Sequence, residues 1–128
     1  MTGEEDAARM KAAQKSGVTF SARAALPRVS FRIRRRYFDA IVRGEKTTEL
    51  RRASSYWYAA VGRLRDDDMG RCGVAVFVCG RDVHRRVIVG VDEFESAEEA
   101  ADGLLSDQGR EDLGDGPVLA FLLGEVAP

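Results

Sequence analysis

The sequence is poor in the residues from which most metal and redox sites are built. It holds one histidine, His84, and two cysteines, Cys72 and Cys79. A single histidine disfavours a zinc centre and a histidine-centred triad. The cysteines lack CxxC spacing and fall in a strand-like segment. They read as reduced, partly buried thiols of a cytoplasmic protein, not as a disulfide or a ligand pair. No apolar run approaches the roughly 20 residues of a membrane helix, so no membrane association is expected. The opening MTGEEDAARMKAAQK is acidic and mixed, without the apolar centre of a secretory signal. Walker loops, GxGxxG, GxSxG and zinc-ligand spacings are missing, so neither a metal nor a cofactor is expected.

What is present suits one folded domain. A chain of 128 residues can bury one real core, and 45% hydrophobic with 32% charged residues is a globular balance rather than a disordered one. The formal net charge of -1 conceals a segregation. From Arg28 to Arg52 nine basic residues face three acidic ones; from Asp92 to Pro128 eleven acidic residues face one basic residue, Arg110. Two readings follow. Either one face suits a polyanion while the acidic C-terminal third keeps the protein soluble or meets a protein partner, or the two segments meet in the fold and neutralise each other.

Residues 1–26 are polar and Ala/Lys-rich and read as a flexible N-terminal tail, with at most a frayed helix around Glu4 to Lys15; residues 27–128 read as the domain. RVSFRIR alternates Val29, Phe31 and Ile33 with polar residues, as a strand with one buried face does. RRYFDAIVRG changes period: Phe38, Ile41 and Val42 are spaced for a short amphipathic helix, which Gly44 closes. KTTELRR is therefore a new element, and its paired threonines favour extended backbone. In a strand, Glu49 and Arg51 share a face and Leu50 lies on the other. Leu50 is expected in the core, with Glu49 and Arg51 on the opposite side and Lys46 free to swing either way. SSYWYAAVG reads as a short helix or turn, RLRDDDMG as a loop, and RCGVAVFVCG with VHRRVIVGVDEFE as a hairpin through Gly80, Arg81 and Asp82. SAEEAADGLL opens with Ser96 and Glu99 in capping-box spacing. LSDQGREDLGDG reads as turn-rich and PVLAFLLGEV as a buried closing strand. Several strands with few helices predict an α+β fold, a small mixed β-barrel with two to three short helices.

GEKTTELR, Gly44 to Arg51, resembles the GxKxxExR signature of ASCH domains (activating signal cointegrator homology, related in fold to PUA), with Gly44, Lys46, Glu49 and Arg51 at the four signature positions. The surrounding order is similar too: a strand and short helix before the motif, a hairpin after it, an acidic helix and a last strand, over residues 28 to 126. The resemblance implies a small PUA-like barrel with a cleft beside the motif, and RNA or a nucleoside-like molecule as ligand. It also implies an alternative. Some members look like hydrolases, either amidohydrolases on acylated cytidine nucleosides or ribonucleases. The amidohydrolase branch carries threonine where this chain has Glu49, a departure that counts against that activity here.

The residues can be read beside the resemblance. Gly44 permits a tight turn where a side chain would obstruct a ligand. Lys46 offers a compact cation for a phosphate or carbonyl oxygen. Glu49 can accept from an exocyclic amine of a base or act as general base. Arg51 can orient Glu49 or hold a phosphate. As an enzyme the chain would use Lys46 and Glu49, with Asp92, Glu93 or Glu95 as candidates for a second carboxylate. Thr47, inside the motif, is a further ligand-binding candidate. Tyr56, Trp57 and Tyr58 lie between Arg51/Arg52 and Arg63/Arg65, as base-stacking side chains beside a basic groove do. Tyr56 and Trp57 are the ligand candidates, although a lone tryptophan also suits a core plug. The plainer alternatives are a Lys–Glu–Arg network that only knits the barrel, a solvated helix start for Arg34 to Arg36, a solvated loop for Asp66 to Asp68, and an exposed hairpin position for His84.

Overall fold

The computed structural model describes residues 25–101 and 106–128. The tail expected over residues 1–26 lies, up to residue 24, outside the described residues, as does the continuation of the helix expected after Ser96. In chain order the elements are β1 (Arg28–Arg32), α1 (Arg35–Val42), β2 (Thr48–Arg52), α2 (Ser55–Gly62), β3 (Gly73–Cys79), β4 (Asp82–Phe94), α3 (Ala97–Ala101), α4 (Asp107–Leu113) and β5 (Val118–Val126).

The five strands form one mixed sheet in the order β1-β3-β4-β5-β2. Only β1 and β3 are parallel, so the chain between them must cross over, and it does so through α1, β2 and α2. The β3–β4 hairpin turns at Gly80, whose φ of 61° suits a residue without Cβ. Register shifts near Ile88 and Gly90 bend β4, and β5 pairs with it on one side and with β2 on the other. The sheet curls into a half-barrel around Phe31, Phe77 and Phe121, all fully buried. Phe31 is the hub: its ring lies 5.1 Å from Trp57, 5.2 Å from Phe77 and 5.0 Å from Phe121. This is the small α+β mixed barrel that the pattern of elements predicts.

Two expectations need correction. The segment read as turn-rich contains α4, so the described residues hold four helices instead of two to three. Ser106 starts α4, its Oγ accepting from Gly109 N at 3.0 Å, and Gly114 at φ 67° ends it. The faces of β2 are also reassigned. Glu49 is buried and, with Arg51, lies on the side of the main core, opposite Phe121 and Leu119 of β5. Leu50 packs instead into a second, smaller cluster with Ala97, Leu113 and Val118. The cause is β5, which is apolar on both faces. Helices α3 and α4 cover its far side, so a strand beside it has cover in both directions.

Other details follow from local chemistry. Ser54 caps α2, accepting from Trp57 N at 3.3 Å. Asp67 holds the loop before β3 by a 2.6 Å ion pair with Arg71 and bonds from the amides of Met69 and Arg71. Cys72 and Cys79 are free and half-buried. Among the described residues no helix is long and apolar enough to cross a membrane.

His84 is half-buried, not simply exposed. Arg86 Nε donates to His84 Nε2 at 3.1 Å, and the same guanidinium donates to Ile41 O at 2.9 Å and Gly124 O at 3.2 Å, tying β4 to α1 and β5. The bond to Nε2 requires a neutral imidazole. Burial, and then the charge of Arg86, lower the pKa of His84. A depressed folded pKa contributes stability that is present above the unfolded value, about 6.5, and lost as the pH falls toward and through the folded value. Urea unfolding at pH 7.5 and 5.5 is expected to show a drop in stability for the wild type and a smaller one for His84→Gln. An equal drop in both proteins would remove His84 from the acid response.

Candidate functional site

The motif begins where α1 ends. Gly44 at φ 79° reverses the chain, and the amides of Glu45 and Lys46 both donate to Ala40 O, at 2.9 and 3.1 Å. This folds Lys46 back to the start of β2. A Cβ at Gly44 would meet nothing within 4 Å. The glycine is therefore required by its backbone angle, not by an approaching ligand.

Glu49 sits at the centre. Its side chain is only 7% exposed and is flanked by two cations. Lys46 Nζ lies 3.0 Å from Oε1 and donates to Thr48 O at 2.5 Å. Arg51 approaches Oε2 with Nε at 3.0 Å and Nη2 at 2.9 Å. Arg51 Nη2 also donates to Arg32 O at 3.0 Å, which laces β2 to β1, the two edges that the sheet order leaves apart. The guanidinium lies 5.2 Å from the ring centres of both Phe31 and Trp57. Oε1 is buried, and although Lys46 is within ion-pair distance, it receives no well-directed hydrogen bond among the described residues. A buried carboxylate oxygen in this condition retains acceptor capacity.

These groups line a cleft of about 870 Å³ along the edge strand β2. Lys46, Thr48, Glu49 and Arg51 form one wall, Trp57 and Tyr37 contribute rings, and Ala100, Ser106 and Asp112 face them from α3 and α4. Of the residues expected from sequence, Lys46, Glu49, Arg51 and Trp57 come together here. Gly44, Thr47 and Tyr56 do not line the cleft: Thr47 is exposed, its carbonyl accepting from Leu123 N at 2.9 Å, and Tyr56 is 65% exposed with its ring 4.9 Å from Trp57. Thr48, which the motif reading passed over, lines it instead. Trp57 is stacked on Phe31 and also lines the cleft. Of the acids considered for a second carboxylate, Glu93 accepts from Tyr58 Oη at 2.6 Å, and Asp92, Glu93 and Glu95 lie outside the cleft lining.

The sequence reading missed Tyr37, Ser106, Arg34 and Asp112. Tyr37 Oη and Ser106 Oγ are 3.1 Å apart, and Arg36 Nη2 donates to Tyr37 Oη at 3.0 Å. Burial raises the phenol pKa of Tyr37. The bonds with Arg36 and Ser106 and the charge of Arg36 outweigh it and leave the group below its ordinary value. Lys46 Nζ is 5.8 Å from the centre of the same ring. Arg34 forms a two-point pair with Asp112, Nε to Oδ2 at 3.2 Å and Nη2 to Oδ1 at 3.1 Å, so the basic and acidic segments do meet at this point. The sequence signals for these residues are faint, because each stands more than 60 positions from its partner.

Removing the Glu49 carboxylate leaves two cations facing each other. Breaking a buried pair in this way costs roughly 3–5 kcal/mol, and the partial exposure of Lys46 and Arg51 places Glu49→Ala near the lower end. Denaturant unfolding of Glu49→Ala checks this. A loss under about 1 kcal/mol would class the cluster with ordinary surface pairs.

No protein-family model matches the sequence, and no curated protein does. Solved structures do. The crystal structure of ASCH from Zymomonas mobilis is similar over 79% of this chain and 69% of its own, at 19% identity and a TM-score of 0.53. A serine-to-alanine variant of that protein matches over 79% and 70%, and a tyrosine-to-phenylalanine variant over 79% and 71%, at the same identity and TM-score. The fold of this chain is the ASCH fold.

Proposed function

We propose that the protein is an ASCH-type domain that binds RNA or a nucleoside-like ligand by taking a base into the cleft along β2. The observation that carries this reading is Glu49 in the cleft lining, its buried Oε1 paired with Lys46 but without a directed donor. An exocyclic amine of a base supplies such a donor, Lys46 Nζ beside it can donate to a ring nitrogen or carbonyl, and the rings of Trp57 and Tyr37 offer stacking surfaces. Phosphates are not needed at the floor, where Arg51 already satisfies Oε2 and Arg32 O. The ASCH fold and the four signature residues agree with this reading.

One observation favours a second reading, a hydrolase in the same cleft: the Tyr37–Ser106 hydroxyl pair, with Arg36 lowering the phenol pKa and Lys46 beside the ring. Proton transfer to and from a substrate is within the chemistry of that set.

Titration of short single-stranded RNA and of free nucleosides at two salt concentrations separates these readings. Wild type is expected to bind, and Lys46→Ala and Glu49→Gln to weaken binding at least about tenfold, the loss of one charged hydrogen bond at roughly 1.5–3 kcal/mol. Equal binding by all three proteins would put the ligand elsewhere. Ligand recovered chemically altered with wild type, and intact with Ser106→Ala, would move the reading to the hydrolase.

A further inference from the structure

The cations of the cleft differ in what holds them. Lys46 and Arg51 are tied to the buried Glu49 and to main-chain carbonyls. Arg52 donates to Leu113 O at 3.1 Å and Asp112 O at 3.3 Å, closing the C-terminus of α4, whose last carbonyls have no partners within the helix. None of these partners can leave without disturbing the fold. Arg34 is different. Its partner is the Asp112 carboxylate, whose side chain is 40% exposed, and Arg34 itself is 54% exposed at the cleft wall. Arg32 also lines the cleft and is exposed; among the paired cations, Arg34 is the one for which an entering anion competes only against a solvent-facing carboxylate.

We infer that Asp112 is a specificity-determining residue: it occupies Arg34 and biases the cleft against ligands carrying a phosphate at the mouth, in favour of an uncharged nucleoside or a base whose phosphates stay outside. The inference rests on the reading that the cleft takes a nucleoside or an RNA base. Two effects act together. A phosphate must displace Asp112 to reach the Nε–Nη2 edge of Arg34, and it then meets a negative charge a few ångströms away. The hydrogen bond from Arg34 is the largest effect on the Asp112 carboxyl; burial opposes it, and the bond from Gln108 and the charge of Arg34 add to the lowering, so the group stays below the usual carboxylate range and the competitor is ionised at neutral pH. Gln108 Nε2 donates to Asp112 Oδ1 at 3.0 Å and keeps the side chain directed toward Arg34 from within α4.

Asp112→Asn tests this, because it removes the charge while retaining an oxygen for Gln108 and the main-chain bonds to Arg52. The affinities of adenosine and cytidine, and of their 5′-monophosphates, would be measured for wild type and variant at low and high salt. The monophosphates are expected to gain roughly fivefold in the variant at low salt, the size of one surface charge pair, and less at high salt, while the nucleosides are unchanged. A second variant, Asp112→Ala, is expected to give the same selective gain. Monophosphate affinity that does not rise, or rises in step with the nucleosides, overturns the role of Asp112 and leaves base binding standing. Failure of every ligand to bind wild type overturns base binding and this inference together.

Discussion

A carboxylate cannot be buried alone, and the position of Glu49 organises much of this molecule. Inside the half-barrel it needs opposite charge, and two cations converge on it. Lys46 reaches it because Gly44 turns the chain back after α1. Arg51 reaches it from two residues along the same strand and continues to Arg32 O, so the ion that neutralises Glu49 also fastens β2 to β1. The planar guanidinium rests by Phe31 and Trp57, which joins the charged cluster to the aromatic hub. Charge neutralisation, barrel closure and the shape of the cleft are consequences of one burial.

The cleft exists because β5 is covered on both sides. Its inward residues, Leu119 and Phe121, meet the aromatic core, while Val118 meets the underside of α3 and α4. Strand β2, at the sheet edge beside β5, lies between these two layers, with a charged face toward one and Leu50 toward the other. The space along its edge is walled by α1 and α2 on one flank and by α3 and α4 on the other. Helix α4 brings an acidic side chain to a basic wall, and so the charge segregation along the chain becomes a contact in space.

Much of this architecture was legible from local pattern. The alternation of Val29 and Phe31, the helix spacing of Phe38 and Ile41 before Gly44, the Gly80 turn and the apolar run from Val118 are all decided by neighbours within a few residues. Helix α4 was not legible, because SDQGREDL has no apolar stripe and the helix is held by Leu113, Ser106 and the arginines that meet it. The GxKxxExR residues carried the likeness to ASCH domains, and parity alone placed Glu49 and Arg51 together. The same parity was misread for the inner and outer sides, because the pattern of β2 does not reveal that its neighbour is buried on both faces.

The sequence by itself determined that the chain has one mixed α+β core, which residues build its strands and first helices, and that Glu49 and Arg51 share a face of β2 with Lys46 close before it. These follow from periods of two and 3.6 residues and from glycine's backbone freedom, which act over short distances. Only the tertiary structure decided that Glu49 is buried with Oε1 lacking a directed donor, that Tyr37 meets Ser106, and that Arg34 is held by Asp112. Those contacts join residues far apart in the chain, and their strength depends on solvent exclusion and on distances of about 3 Å. No local pattern encodes such distances until the sheet has curled and the helices have closed on it.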